Sequence, residues 1–183
     1  MEDQASVNML LTGLRQVGKS TVCQEVAELA RAHGHQPQGV LSPALFDSSG
    51  TKVGFEALDV ATGERWLLAH TVQDLEGPRI GPYVLERTAL ARAIDVLTRA
   101  CEEADLMMVD EIGPLELERN EGFAPVLDCL PLGGPGHLLM VVRPSLVPEV
   151  LHRLGKDCAI CTVTEANRAI LPGHVIQEFW PHD

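Results

Sequence analysis

The stretch LLTGLRQVGKSTV, residues 10–22, runs from apolar residues into a glycine-punctuated turn and ends in Gly-Lys-Ser-Thr. Within it, Gly13-Leu14-Arg15-Gln16-Val17-Gly18-Lys19-Ser20 fits the spacing GxxxxGK[ST] at every fixed position. That spacing has a physical purpose. The chain curls so that successive backbone N–H groups point inward and make a nest for phosphate oxygens. Gly18 lets the backbone approach the anion closely. Lys19 places a cation on the β- and γ-phosphates, and Ser20 offers its hydroxyl to Mg2+. A helix opening at this point adds its positive N-terminal end. At ordinary residue frequencies a chain of this length matches by chance about once in 150 cases, so the loop is read as a phosphate site.

The flanks agree with that reading. Residues 7–12 are a short buried strand, and residues 19–33 have helical spacing, with Val22, Val26, Leu29 and Ala30 on one face and Gly34 as the stop. Strand, glycine-bearing turn and helix in that order open an α/β unit. Residues 39–69 differ: strand-like pieces are broken by DSSG and ATG, which are hairpin signals. They predict a small antiparallel meander inserted after the first helix. Alternation then returns, with helices at 88–104, 121–130 and 145–154, strands at 106–109, 137–142 and 158–163, and a last strand at 175–180. Uninterrupted apolar strands such as LMMV and HLLMVV are what a parallel sheet covered on both faces requires. The loops PLGGPG and HTVQDLEGPRIGP are expected to be mobile, and neither reads as a domain linker.

A second motif bears on the reaction. In ADLMMVDEIGPLEL an apolar strand ends in Asp110-Glu111. An acid at the end of such a strand holds the Mg2+ shell of a bound nucleotide, which makes Asp110, with Ser20, the candidate metal residue. Glu111 is then placed to act as general base or to orient water at the γ-phosphate. Glu116 and Glu118 read as a solvated loop, and Arg79 as an exposed loop arginine within possible reach of phosphate. His70, His137, His152 and His174 lack ligand spacing, and Trp66 and Trp180 read as packing residues.

Composition narrows the classes. The 183 residues are 45% hydrophobic, which suits one packed domain spanning 1–183. No apolar run reaches the roughly 18 residues of a membrane span, and MEDQASV lacks the pattern of a signal peptide. A cytoplasmic location without membrane contact is expected. The net charge of −12, from 14 Lys+Arg against 26 Asp+Glu, comes without a basic cluster, so no nucleic-acid partner is expected. The same charge repels free nucleotide at long range, so the site must be built locally from backbone N–H groups and Mg2+. Five cysteines do not form a disulfide framework. Cys158 and Cys161 lie three apart in a strand, where side chains point to opposite faces and cannot share a ligand.

TGLRQVGKST, KVGFEALDVATGE, GPYVL, VDEIGPLEL and TEANR together resemble the small thermophile-type nucleoside-triphosphatases. The resemblance covers nearly the whole chain, and the DEIGxxEL block is its most telling part. It implies a P-loop NTPase three-layer α/β fold with a largely parallel central sheet. It implies slow Mg2+-dependent hydrolysis of several nucleoside triphosphates to diphosphate and phosphate. Residues Gly13 to Thr21 carry over as the phosphate loop, Asp110 and Glu111 as the acidic pair, and Asn167 and Arg168 as contacts near the base; the motif reading above makes Lys19 and Glu111 the catalytic groups. The chain departs from the family where Arg15 and Gln16 replace a usual proline and glycine, and where Ser42-Pro43-Ala44 replaces Thr-Glu-Glu. Two other classes stay open: a nucleotide or small-metabolite kinase with the 70–82 loop as lid, and a nucleotide-dependent switch. No Asn-Lys-x-Asp guanine reader is present, so loose base selectivity is expected. The sequence does not name a protein partner.

Overall fold

The computed structural model describes residues 6–72, 75–130, 136–154 and 158–181, together with the backbone but not the side chain of Glu111. The PLGGPG loop lies almost wholly outside that description, as do two residues of the 70–82 segment.

Five parallel strands form the centre: β1 (Asn8–Gly13), β2 (Pro37–Leu41), β8 (Leu106–Ile112), β9 (His137–Val142) and β10 (Cys158–Val163). They lie side by side in the order β10-β1-β9-β8-β2. Between β2 and β8 in the chain come β3 (Ala44–Phe46), β4 (Lys52–Asp59), β5 (Arg65–His70), β6 (Arg79–Ile80) and β7 (Tyr83–Leu85). These pair antiparallel and continue the same sheet beyond β2 as β4-β5-β7-β6, with β3 also on β4. The expected meander is therefore real, but its bounds shift. Residues 39–41 belong to the parallel core, and the antiparallel part runs on to Leu85.

Alternation along each central strand feeds two cores. Met9 and Leu11 of β1, Leu106 and Met108 of β8, and Leu139 and Val141 of β9 face one side, with Val22, Val26, Ala27 and Ala30 of α1 (Lys19–Ala32). Leu10, Met107, Val109, Leu138 and Met140 face the other, against α2 (Arg87–Glu103), α4 (Ala124–Cys129) and α5 (Val147–Leu154). The result is three layers, as the uninterrupted apolar strands require. Helix α1 stops as expected: Gly34 takes a φ of 91° and its N–H reaches the Arg31 carbonyl at 3.0 Å. Helix α2 is capped by the Glu86 carboxylate, which accepts from the N–H groups of Thr88 and Ala89.

Three expectations need correction. Residues 175–180 are not a strand: 175–179 end helix α6 (Leu171–Phe179), and Trp180 is its C-cap. Leu171, Pro172, Val175, Ile176 and Phe179 are its buried positions, a helical period that begins before the apolar run itself. The helix expected at 121–130 contracts to α4, preceded by the single turn α3 (Pro114–Leu117). Residue Leu29 of α1 is exposed, and Cys23 takes a buried place in that core instead.

Candidate active site

The phosphate loop joins β1 to α1, and three backbone conformations shape it. Gly13 has φ 147°, and a Cβ there would stand 2.6 Å from the Val163 carbonyl oxygen of β10, so only glycine fits. Gly18 has φ 105° and stands at the N-cap of α1. Between them Gln16 adopts φ 63°, a left-handed conformation that disfavours a side chain by about 1–2 kcal/mol. The resemblance places a glycine at this position, and the backbone retains the glycine-like geometry. Leu14, Arg15 and Gln16 form the exposed tip, while Val17, Lys19 and Ser20 are half-buried. The Lys19 ammonium donates to the carbonyls of Gly13 at 3.1 Å and Leu14 at 2.9 Å. It is thus held across the mouth of the loop. Thr21 follows in the first turn of α1.

Strand β9 separates β1 from β8, so the end of β8 lies two strand spacings, about 10 Å, from β1. The first turn of α1 bridges that gap. The Ser20 hydroxyl donates to Asp110 Oδ2 at 2.8 Å, and the Ser42 backbone N–H donates to the same oxygen at 3.0 Å. Asp110 is 3% exposed. Its position follows from strand phase: Leu106 and Met108 face α1, and Asp110 is next in that series. The phase then breaks. Val109 pairs with Met140 and Ile112 with Val142, so Asp110 and Glu111 together oppose one residue of β9. This β-bulge returns Ile112 to the core of α2 and bends the strand at the two acids. The Glu111 side chain lies outside the described residues, so its catalytic assignment rests on the sequence and on its place in the bulge.

Behind the site, Cys23 of α1 is fully buried. Burial foremost, then the Asp110 carboxylate, pushes its thiol well above the usual range, with Lys19 opposing. Glu116 corrects the solvated-loop reading. It is 4% exposed, and its carboxylate accepts from the N–H groups of Gly113 at 2.9 Å and Phe123 at 3.2 Å. It therefore ties down the segment that leaves the acidic bulge. A Gly-Pro-x-Glu start, with proline at the first helical position and Glu at the third, was the legible signal for the first of those bonds. Glu118 is exposed as expected.

The remaining candidates fall elsewhere. Asn167 uses both ends of its amide in the turn after β10: Oδ1 accepts from Thr164 N–H at 2.8 Å and Nδ2 donates to the Thr162 carbonyl at 2.8 Å. Arg168, one residue on, reaches the loop, and its Cδ lies 3.6 Å from where a Cβ on Gly18 would stand. Arg79 is in β6, and its carbonyl accepts from Arg119 at 2.8 Å. Trp66 donates to the Ala89 carbonyl at 3.1 Å under the Arg92 guanidinium, and Trp180 stacks on His35. Cys158 and Cys161 pack against opposite cores, as their spacing requires. The Ser42 N–H on Asp110 was not legible, because nothing in the sequence puts the end of β2 beside the end of β8.

A parallel α/β sheet with a glycine-bent loop, a lysine across its mouth and a serine tied to a buried strand-end aspartate defines a P-loop nucleotide-binding protein. The chain belongs to the NTPase family: the NTPase_1 model, described as NTPase, matches residues 8–176. It is thus a nucleoside-triphosphatase by class. It is 37% identical over 172 residues to the Nucleoside-triphosphatase THEP1 of Methanopyrus kandleri, covering 93% of each chain. It is 34% identical over 176 residues to that of Thermofilum pendens, covering 95% of this chain and 96% of the relative. The crystal structure of THEP1 from Aquifex aeolicus superposes with a TM-score of 0.74 at 19% identity, covering 95% of this chain and 99% of that one. The solution structure of a human cancer-related nucleoside triphosphatase gives 0.75 at 24%, covering 97% and 100%. At these identities the two structures speak for the fold. Among the described residues no helix is long and apolar enough to cross a membrane.

Proposed function

We propose that the protein hydrolyses Mg2+-bound nucleoside triphosphates to the diphosphate and inorganic phosphate, with little selection among bases. The observation that carries this reading is the buried Asp110 carboxylate, tied at 2.8 Å to Ser20 of the phosphate loop. It joins two motifs 90 residues apart into one site.

A hydroxyl and a carboxylate are hard oxygen donors, which suits Mg2+. Among the described residues no group of three or more His, Cys, Asp or Glu side chains forms a metal cage. Two protein oxygens would leave the rest of an octahedral Mg2+ shell to phosphate oxygens and water. Ser20 and Asp110 would hold it, and when bound it offsets charge on the β- and γ-phosphates.

The loop from Gly13 to Thr21 binds the triphosphate through its backbone N–H groups. Lys19 exchanges the Gly13 and Leu14 carbonyls for phosphate oxygens, so its charge meets the γ-phosphate. Glu111 orients the attacking water and takes its proton as the water oxygen bonds to phosphorus and the bond to the β-phosphate oxygen breaks. Most of the acceleration is positioning and electrostatics. Loose base selection is supported by the lack of an Asn-Lys-x-Asp guanine reader in the sequence.

Phosphate release from ATP, GTP, CTP and UTP with Mg2+, beside Lys19→Ala, tests the reading. Release from all four within about tenfold of one another, and loss of triphosphate affinity in the variant, are expected. Transfer of the γ-phosphate to a nucleotide or metabolite acceptor in preference to water contradicts it.

A further inference from the structure

We propose that Arg168 is a phosphate ligand on the nucleoside side of the loop, gripping the α-phosphate that every nucleotide shares rather than reading the base. This rests on the nucleotide-binding reading above and moves Arg168 from the base, where the resemblance puts it, to the phosphates.

Strand β10 runs parallel beside β1, with Val163 opposite Gly13, so the turn that follows it opens at the phosphate loop. That turn is held at four points. Besides the two bonds of the Asn167 amide, Asn167 N–H reaches Thr164 Oγ1 at 3.2 Å and Arg168 N–H reaches the Thr164 carbonyl at 3.0 Å. The backbone of Arg168 is therefore fixed, and its side chain lies along Gly18. A Cβ on Gly18 would stand 3.6 Å from Arg168 Cδ and 3.9 Å from Nη1. The guanidinium is thus at the start of α1.

Cations are disfavoured at a helix N-terminus. Here the guanidinium of an exposed arginine stands at the helix start, and no carboxylate among the described residues pairs with it. The guanidinium is therefore available to an anion at the loop, and its fork matches phosphate geometry. Which phosphate follows from strand order. Asp110 ends β8, two strands from β1 on one side, whereas Arg168 follows β10 on the other. With the γ-phosphate at the acids, Arg168 meets the opposite end of the triphosphate. The amide of the neighbouring Asn167 is oriented by its own turn, with one bond accepted and one donated there.

The experiment is calorimetric titration of wild type, Arg168→Ala and Arg168→Lys with ADP, GDP, CDP, UDP and inorganic tripolyphosphate, alongside steady-state kinetics. Arg168→Ala should weaken all four diphosphates and tripolyphosphate by a similar factor, about tenfold. It should raise KM for every triphosphate with kcat within about twofold, and Arg168→Lys should recover part of the loss. Loss confined to one base, with tripolyphosphate unchanged, overturns the proposal in favour of a base contact. Equal binding by wild type and variant overturns it outright. A wild type that binds none of these ligands refutes the nucleotide site itself, a distinct outcome.

Discussion

Removing the Glu116 carboxylate tests how the acidic bulge is held. In the fold it is buried, and it accepts N–H bonds from Gly113 and Phe123. Glu116→Ala leaves both donors without that partner. Each orphaned buried N–H costs about 1–3 kcal/mol, so the variant should lose about 2–6 kcal/mol. Glu116→Gln keeps one acceptor oxygen but turns an amide NH2 toward the other donor, a loss of about 1–3 kcal/mol. For a chain of this size 1 kcal/mol moves the melting temperature by about 2–4 °C. Urea unfolding followed by circular dichroism, with unchanged slope, gives the free energies. Phosphate release should fall in both variants, because the segment leaving Asp110 and Glu111 loses its tie. A glutamate in a solvated loop changes stability by less than about 0.5 kcal/mol. Values in that range for both variants would refute the reasoning.

Two other perturbations bear on the loop and the fold. Gln16→Gly removes a side chain from a left-handed position but frees the unfolded chain, so a net gain of about 0.5–1 kcal/mol is expected from thermal melts; a loss would show that the Gln16 side chain holds the loop. His137 is kept below its ordinary value of 6.5, first by burial and then by His35, with Asp105 opposing, while its Nδ1 accepts the Val7 N–H at 3.0 Å. The unfolded chain therefore binds more protons just below 6.5, so this contribution is complete above that pH and is lost as pH falls through it. Urea melts between pH 7.5 and 5.5 should show the decline in wild type and a flatter profile in His137→Gln; parallel profiles would remove His137 as the source.

What could be read in the sequence was local. The phosphate loop, the acids at the strand end and the parallel strands announce themselves because each is written in consecutive residues. The errors have a common cause. Strands β3, β6 and β7 span two or three residues, too few to show a period. The run ending at Trp180 looks extended until Leu171 and Pro172 are added to it. Glu116 reads as surface because its burial depends on Phe123 returning over it. The Ser42 contact to Asp110 and the approach of Arg168 to Gly18 depend on strand order, which places β2 beside β8 and β10 beside β1. No spacing along the chain encodes that order.

In the proposed reaction, nucleotide bound at the loop loses its γ-phosphate to water under the control of the acid beside Asp110. Its most direct test is Glu111→Gln, assayed for both nucleotide affinity and single-turnover phosphate release with Mg2+. Affinity within about twofold of wild type and release slower by at least about tenfold are expected. Undiminished release with unchanged binding would contradict it.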